Sequence, residues 1–130
     1  NDTHGTYLFE QQMLSYIKDG KTQLLKKFLL DSVNTQEFVE GKVANDSLRQ
    51  TKNILLALVA MVGKTAAIPG GMPIEEAYNL IDIYSQKCEE INNLVDLYNL
   101  QYNMVVDFSS RVENYKYANL LSSEIKNCIQ

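Results

Sequence analysis

Lys64-Thr-Ala-Ala-Ile-Pro-Gly-Gly-Met-Pro-Ile-Glu-Glu-Ala-Tyr-Asn-Leu-Ile-Asp-Ile-Tyr84 reads as the end of one buried helix, a glycine turn and a second helix started by proline. Gly70 and Gly71 can take the left-handed conformation that ends a helix at little steric cost. Pro73 suits a first helical position, where its missing N–H is not needed. Glu75 and Glu76 then fall in the first turn, where the helix dipole favours negative charge. Two helices joined by a tight turn make the architectural core of the reading.

Working outward, nearly everything else reads as helix. Thr6 can cap a first helix over about residues 6–18, with Leu8, Met13, Leu14 and Ile17 as buried positions and Gly20 as its stop. A second helix, about 21–32, sets Leu24, Leu25, Phe28 and Leu29 on one apolar face. Residues 31–43, with Asn34 and Gly41 as breakers, read mostly as loop. Asp46 can cap a long third helix that is apolar all round between Ile54 and Val62, the pattern of a fully surrounded segment. The fourth runs from Pro73 to about Ile91, and the fifth spans about 93–117. Leu94, Leu97, Tyr98, Val105, Phe108, Val112 and Tyr115 lie along one side of the fifth. A sixth helix starts near Asn119, with Leu120, Leu121, Ile125, Cys128 and Ile129 as an amphipathic stripe and no capping residue after it. No internal repeat appears. The expectation is an all-α fold, a single-domain bundle of about five to six helices.

Composition narrows the function classes. The chain has 130 residues, enough for one domain with a real core, and 45% hydrophobic content argues against disorder. The net charge of −4 and the lack of clustered Lys and Arg argue against this segment gripping nucleic acid itself. Lys18, Lys21, Lys26 and Lys27 are the one basic concentration, and they read as a solvated helical face. Cys88 and Cys128 stand alone, without a C-x-x-C pair, and read as reduced, partly buried core thiols of a cytosolic protein, with a disulfide or a redox sensor as the alternatives. The apolar run from Ile54 to Val62 is nine residues, well short of a bilayer span of roughly 20, so no membrane association is expected. The single His4 sits near the start of the chain, which leaves no histidine-based triad or metal site. Glu75-Glu76 and Glu89-Glu90 are neighbours that diverge by about 100° on a helix and cannot converge on one reacting atom. No enzyme activity, cofactor or metal is expected.

Two polar helical faces remain as a candidate binding site. Arg49, Lys52 and Asn53 occupy i, i+3 and i+4 on the third helix. Tyr78 and Asp82 share a face of the fourth, with Tyr84 close by. Where the faces meet, an acidic or polar ligand could pair with Arg49 and Lys52. The plainer alternative pairs Arg49 or Lys52 with Asp82 or a helix end, while Tyr78 packs.

Several stretches together carry a family resemblance. They are Leu48-Arg49-x-x-Lys52-Asn53, Ala66-Ala67-Ile68-x-Gly70-Gly71, and Glu76-Ala77-Tyr78-x-Leu80-x-Asp82-x-Tyr84. Gln101-Tyr102-x-x-Val105-Val106-Asp107-Phe108-x-x-Arg111-Val112 and Leu121-x-x-Glu124-Ile125-x-x-Cys128-Ile129 follow in order. Together they resemble the helical domain upstream of the helix-turn-helix module in AraC/XylS-type bacterial transcription regulators. The resemblance implies a helical regulatory or association domain over 1–118, with 119–130 as the first helix of a DNA-binding domain. DNA would then be met through a C-terminal module outside this chain. It also implies a signal, from a small molecule or a protein, or self-association as a homodimer. Lys64-Thr65 departs from the pattern, since many relatives carry Arg before the Ala-Ala pair, and Lys cannot reproduce bidentate contacts. The chain opens on Asn1 rather than Met, which fits a piece of a longer protein. A free-standing helical interaction module, such as an adaptor, is the alternative that accounts equally well for fold and charge.

Overall fold

Glycines at positive φ stop two of the helices. Gly20 has φ 68° and Gly71 has φ 123°, a region that side chains with a Cβ rarely adopt. At the first, the Gly20 N–H donates to the Ile17 carbonyl (3.0 Å) and the Lys21 N–H to that of Tyr16 (2.9 Å). At the second, Gly71 donates to Ile68 and Met72 to Ala67, both at 3.0 Å. Both are the paired bonds of a Schellman ending, which satisfies carbonyls the helix would leave orphaned. Helix starts are closed by side chains. Ser47 Oγ accepts from the Gln50 N–H (3.1 Å), and Asn93 Oδ1 accepts from the Asp96 N–H (2.8 Å).

The computed structural model describes residues 3–35 and 47–129. They form an all-α bundle of five helices, with no strand among the described residues. These are α1 (Thr3–Asp19), α2 (Thr22–Thr35), α3 (Leu48–Gly70), α4 (Ile74–Glu90) and α5 (Leu94–Ile129). Packing centres on α5, which touches all four other helices. Its inner residues Met104, Val105, Phe108 and Val112 meet Met13 and Ile17 of α1, Leu25 and Leu29 of α2, and Val59 and Val62 of α3 in one core. A smaller cluster of Leu55, Cys88 and Leu97 closes the other end. Inside the main core, Thr22 and Ser109 share a buried hydroxyl hydrogen bond of 2.9 Å that ties α2 to α5.

Within α3, Gly63–Ala67 form a π turn, with the Ile68 N–H reaching back to the Gly63 carbonyl. The Thr65 hydroxyl donates to the Met61 carbonyl (2.6 Å) beside it. Glycine is required at 70 for space, as it is at 71 for φ: a Cβ on Gly70 would lie 2.4 Å from the Lys18 carbonyl oxygen. A Cβ on Gly63 would lie 2.8 Å from Ile81 Cδ1, a side-chain end that can move aside. Gly70 therefore stays in the last helical turn and lets α1 approach, while Gly71 alone takes the left-handed role.

Several boundaries differ from the sequence reading. α1 begins at Thr3, so Thr6 is inside the helix, and Leu8 is 65% exposed. Leu24 is 51% exposed, because the α2 face that packs is Thr22, Leu25, Leu29 and Ser32. α2 continues through Thr35, which makes the first residues of the expected loop helical. Gly41 and Asp46 lie outside the described residues, and Ser47 is the cap of α3. The middle of α3 is not surrounded on every side: Leu55, Leu58, Val59 and Val62 are buried, whereas Ala57 is exposed. By length and composition α3 could cross a membrane, and here its inner face forms the core. Pro73 is the N-cap of α4 rather than its first residue.

The expected fifth and sixth helices are one, 36 residues long. Tyr117-Ala-Asn-Leu120 holds neither Gly nor Pro, so nothing there stops propagation.

Gly70→Ala should lower stability by about 2–4 kcal/mol, because backbone rather than a flexible side chain blocks the added methyl. Gly5→Ala, with nothing within 4 Å, should be neutral or mildly stabilising. Urea unfolding of both variants checks this, and equal behaviour would refute the packing assignment.

Candidate functional site

Two polar clusters lie between helices. The first holds half of the residues expected at the binding site. Arg49 donates two bonds to the Glu89 carboxylate, at 2.9 and 2.8 Å, and a third, 3.2 Å, to Asn53 Oδ1. The hydrogen bonds from Arg49 hold the Glu89 carboxyl below its ordinary range. Lys52 Nζ donates to the Glu89 backbone carbonyl at 2.8 Å, closing the C-terminal end of α4. Arg49 thus finds a carboxylate in the last turn of α4, and Lys52 finds the helix end itself.

The other three expected residues do not join them. Tyr78 is 49% exposed, with the Lys64 ammonium 5.4 Å from its ring centroid. Asp82 is exposed. Tyr84 is buried and points to a different helix. The start of α3 meets the end of α4, so residues early in α4 lie well away from Arg49. Tyr84 follows Asp82 by about 200° around the helix, and the two cannot share a face.

The second cluster is centred on Arg111. Its Nη1 donates to Glu76 Oε2 (2.8 Å) and its Nε to Asp107 Oδ1 (2.9 Å), one residue on α4 and one on its own helix. The Tyr84 hydroxyl donates to Asp107 Oδ2 (2.5 Å), and the Tyr115 hydroxyl donates to Glu76 Oε1. Each carboxylate therefore holds one guanidinium contact and one phenol. Tyr115 first, then Arg111, keep the Glu76 carboxyl below the usual glutamate range. Burial, reinforced by Asp107, raises the Tyr84 phenol well above its ordinary value. With both carboxylates doubly engaged, the cluster is built to join α4 to α5 rather than to exchange protons.

Spacing alone did not expose this cluster. Asp107 and Arg111 stand at i and i+4, a pair that spacing makes legible, whereas spacing places Glu76 only in the first turn of α4. Three of the five residues, Glu76, Asp107 and Arg111, are fixed points of the resemblance motifs, and Tyr84 is a fourth.

Other chemistry-bearing groups are placed as follows. Cys88 is buried and donates to the Lys52 carbonyl (3.7 Å), and burial pushes its thiol up, away from the reactive thiolate. The Cys128 side chain lies outside the described residues. His4 is exposed near the start of α1. Among the described residues, no group of three or more His, Cys, Asp or Glu could hold a metal ion. Lys18, Lys21 and Lys27 are exposed and Lys26 is half-buried.

Glu76 has a depressed folded pKa, so its contribution is present above the ordinary glutamate value near 4.5 and is lost as pH falls through the folded value. Glu76→Gln should cost about 1 kcal/mol at neutral pH, and the gap to the parent chain should close toward pH 3. Urea unfolding across pH 3–7 checks this, and a pH-independent gap would show that the carboxylate charge is not what Arg111 and Tyr115 read.

Compared with protein-family models, curated proteins and solved structures, the chain matches none.

Proposed function

We propose that this chain is the helical, non-DNA-binding regulatory portion of a bacterial, cytoplasmic AraC-type transcription regulator. It relays a signal or self-association along α5 to a helix-turn-helix module. The observation that carries this reading is the far half of α5. Residues 116–127 are all exposed, and Tyr117, Leu120, Leu121 and Ile125 form an uncovered apolar stripe there. A helical segment this short is marginal in water by itself. An apolar stripe on it marks a contact surface. In a regulator of this type the stripe is the inner face of the first helix of the DNA-binding module. At about 1.5 Å per residue, the 36 residues of α5 span about 54 Å, so one rigid element reaches from the bundle core into that module.

The charge balance supports the same division of labour. With a net charge of −4, the bundle is poorly suited to hold phosphates, and DNA contact falls to the module beyond it. The stripe favours a second reading as well, in which a free-standing adaptor takes up a partner's helix.

Recovery of the native gene product on chromatin separates the two. Occupancy of discrete promoters should be seen, and Leu121→Ser with Ile125→Ser should abolish it while changing bundle stability by no more than about 0.5 kcal/mol. Absence from DNA in its own cells would overturn the regulator reading and leave the adaptor.

A further inference from the structure

α5 leaves the bundle within one turn. Among the described side chains, Val112 is its last fully buried residue and Tyr115 its last half-buried one. The direction of everything beyond is therefore set by what touches residues 111–115. On one side the α1–α2 turn presses backbone against backbone: a Cβ on Gly20 would lie 2.8 Å from the Glu113 Cα. Arg111 and Tyr115 each lie about 200° around the helix from Glu113, on the opposite side. Both are held there by the single carboxylate of Glu76.

We propose that this arrangement is a latch and fulcrum: α5 pivots against the Gly20 backbone, and Glu76 fastens or frees its opposite side. Three features make opening inexpensive without unfolding. Arg111 keeps Asp107 on its own helix, so releasing Glu76 does not strand a guanidinium. The Arg111 and Glu76 side chains are 42% and 25% exposed, so water can take the place of each lost bond. Below the pivot, Tyr84 holds Asp107, and Phe108 stays in the core. A tilt at the latch thus moves residues 116–127 while the bundle remains packed. Any group that competes for Glu76 or Arg111 would act as the signal. The latch rests on the regulator reading for its biological use, though not for its mechanics.

The test is pulsed electron-spin distance measurement on the 130-residue chain with Cys128→Ser, spin labels on Gln23→Cys of α2 and Ser123→Cys of α5, and Glu76→Ala, Tyr115→Phe and Glu75→Ala as variants. Glu76→Ala and Tyr115→Phe should each shift or broaden the distance by about 3 Å, the throw of a roughly 15° tilt over the ~12 Å of helix between Tyr115 and Ser123. A second label pair, Gln23→Cys with Tyr102→Cys, should keep its parental distance, and Glu75→Ala should alter neither pair. An unchanged distance to Ser123 in both variants would overturn the latch. So would an equal change in the pair within the bundle, because the contacts would then support the whole bundle rather than its exit. Because no DNA is present, a negative result leaves the regulator reading standing, and absence from chromatin leaves the latch standing.

Discussion

The burial of one face of α5 is the constraint on which the rest of this molecule depends. Met104, Val105, Phe108 and Val112 present an apolar surface interrupted only by the Ser109 hydroxyl, and α1, α2 and α3 each contribute side chains to it. Removing a face of that size from water yields on the order of 2 kcal/mol per large side chain. The Schellman endings at Gly20 and Gly71 matter because they turn the chain sharply enough for the flanking helices to reach α5. Gly70 matters because it removes the methyl that would hold α1 off.

Polar contacts add position to that packing. Arg49 and Lys52 fasten α3 to the last turn of α4 through Glu89, one at its carboxylate and one at its carbonyl. Arg111 fastens the start of α4 to α5 through Glu76. The two clusters sit at opposite ends of α4 and fix its angle against both neighbours. They are partly exposed, so each contributes less to stability than to geometry.

Much of the bundle was legible because helical periodicity is a local signal. Met13, Leu14 and Ile17 fall in the core where their spacing puts them, and Gly20 stops α1 as its lack of a Cβ implies. Leu8 and Leu24 were misplaced for a reason that periodicity cannot resolve. An apolar side chain at the edge of a stripe is buried only if a neighbour reaches it, and neighbours are not written locally. The continuity of α5 was missed because an end was expected where the resemblance divides the chain, although no residue there stops a helix. The Arg111 cluster was hidden more deeply. Glu76 and Arg111 are 35 residues apart, and only the antiparallel docking of α4 on α5 brings them together. What meets the Arg49 and Lys52 face is Glu89 rather than Asp82, its carboxylate taking Arg49 and its backbone carbonyl taking Lys52, 40 and 37 residues along the chain.

The Thr22–Ser109 bond has a consequence for how uniquely this chain folds. Smooth apolar helix faces tolerate sliding, since Leu on Leu is nearly as good one turn further along. A pair of hydroxyls sealed inside such an interface does not. Shift α2 against α5 by a single turn and both oxygens face hydrocarbon, at a cost of about 1–3 kcal/mol each. Two small polar atoms thereby act as a register key, converting a family of near-equivalent packings into one.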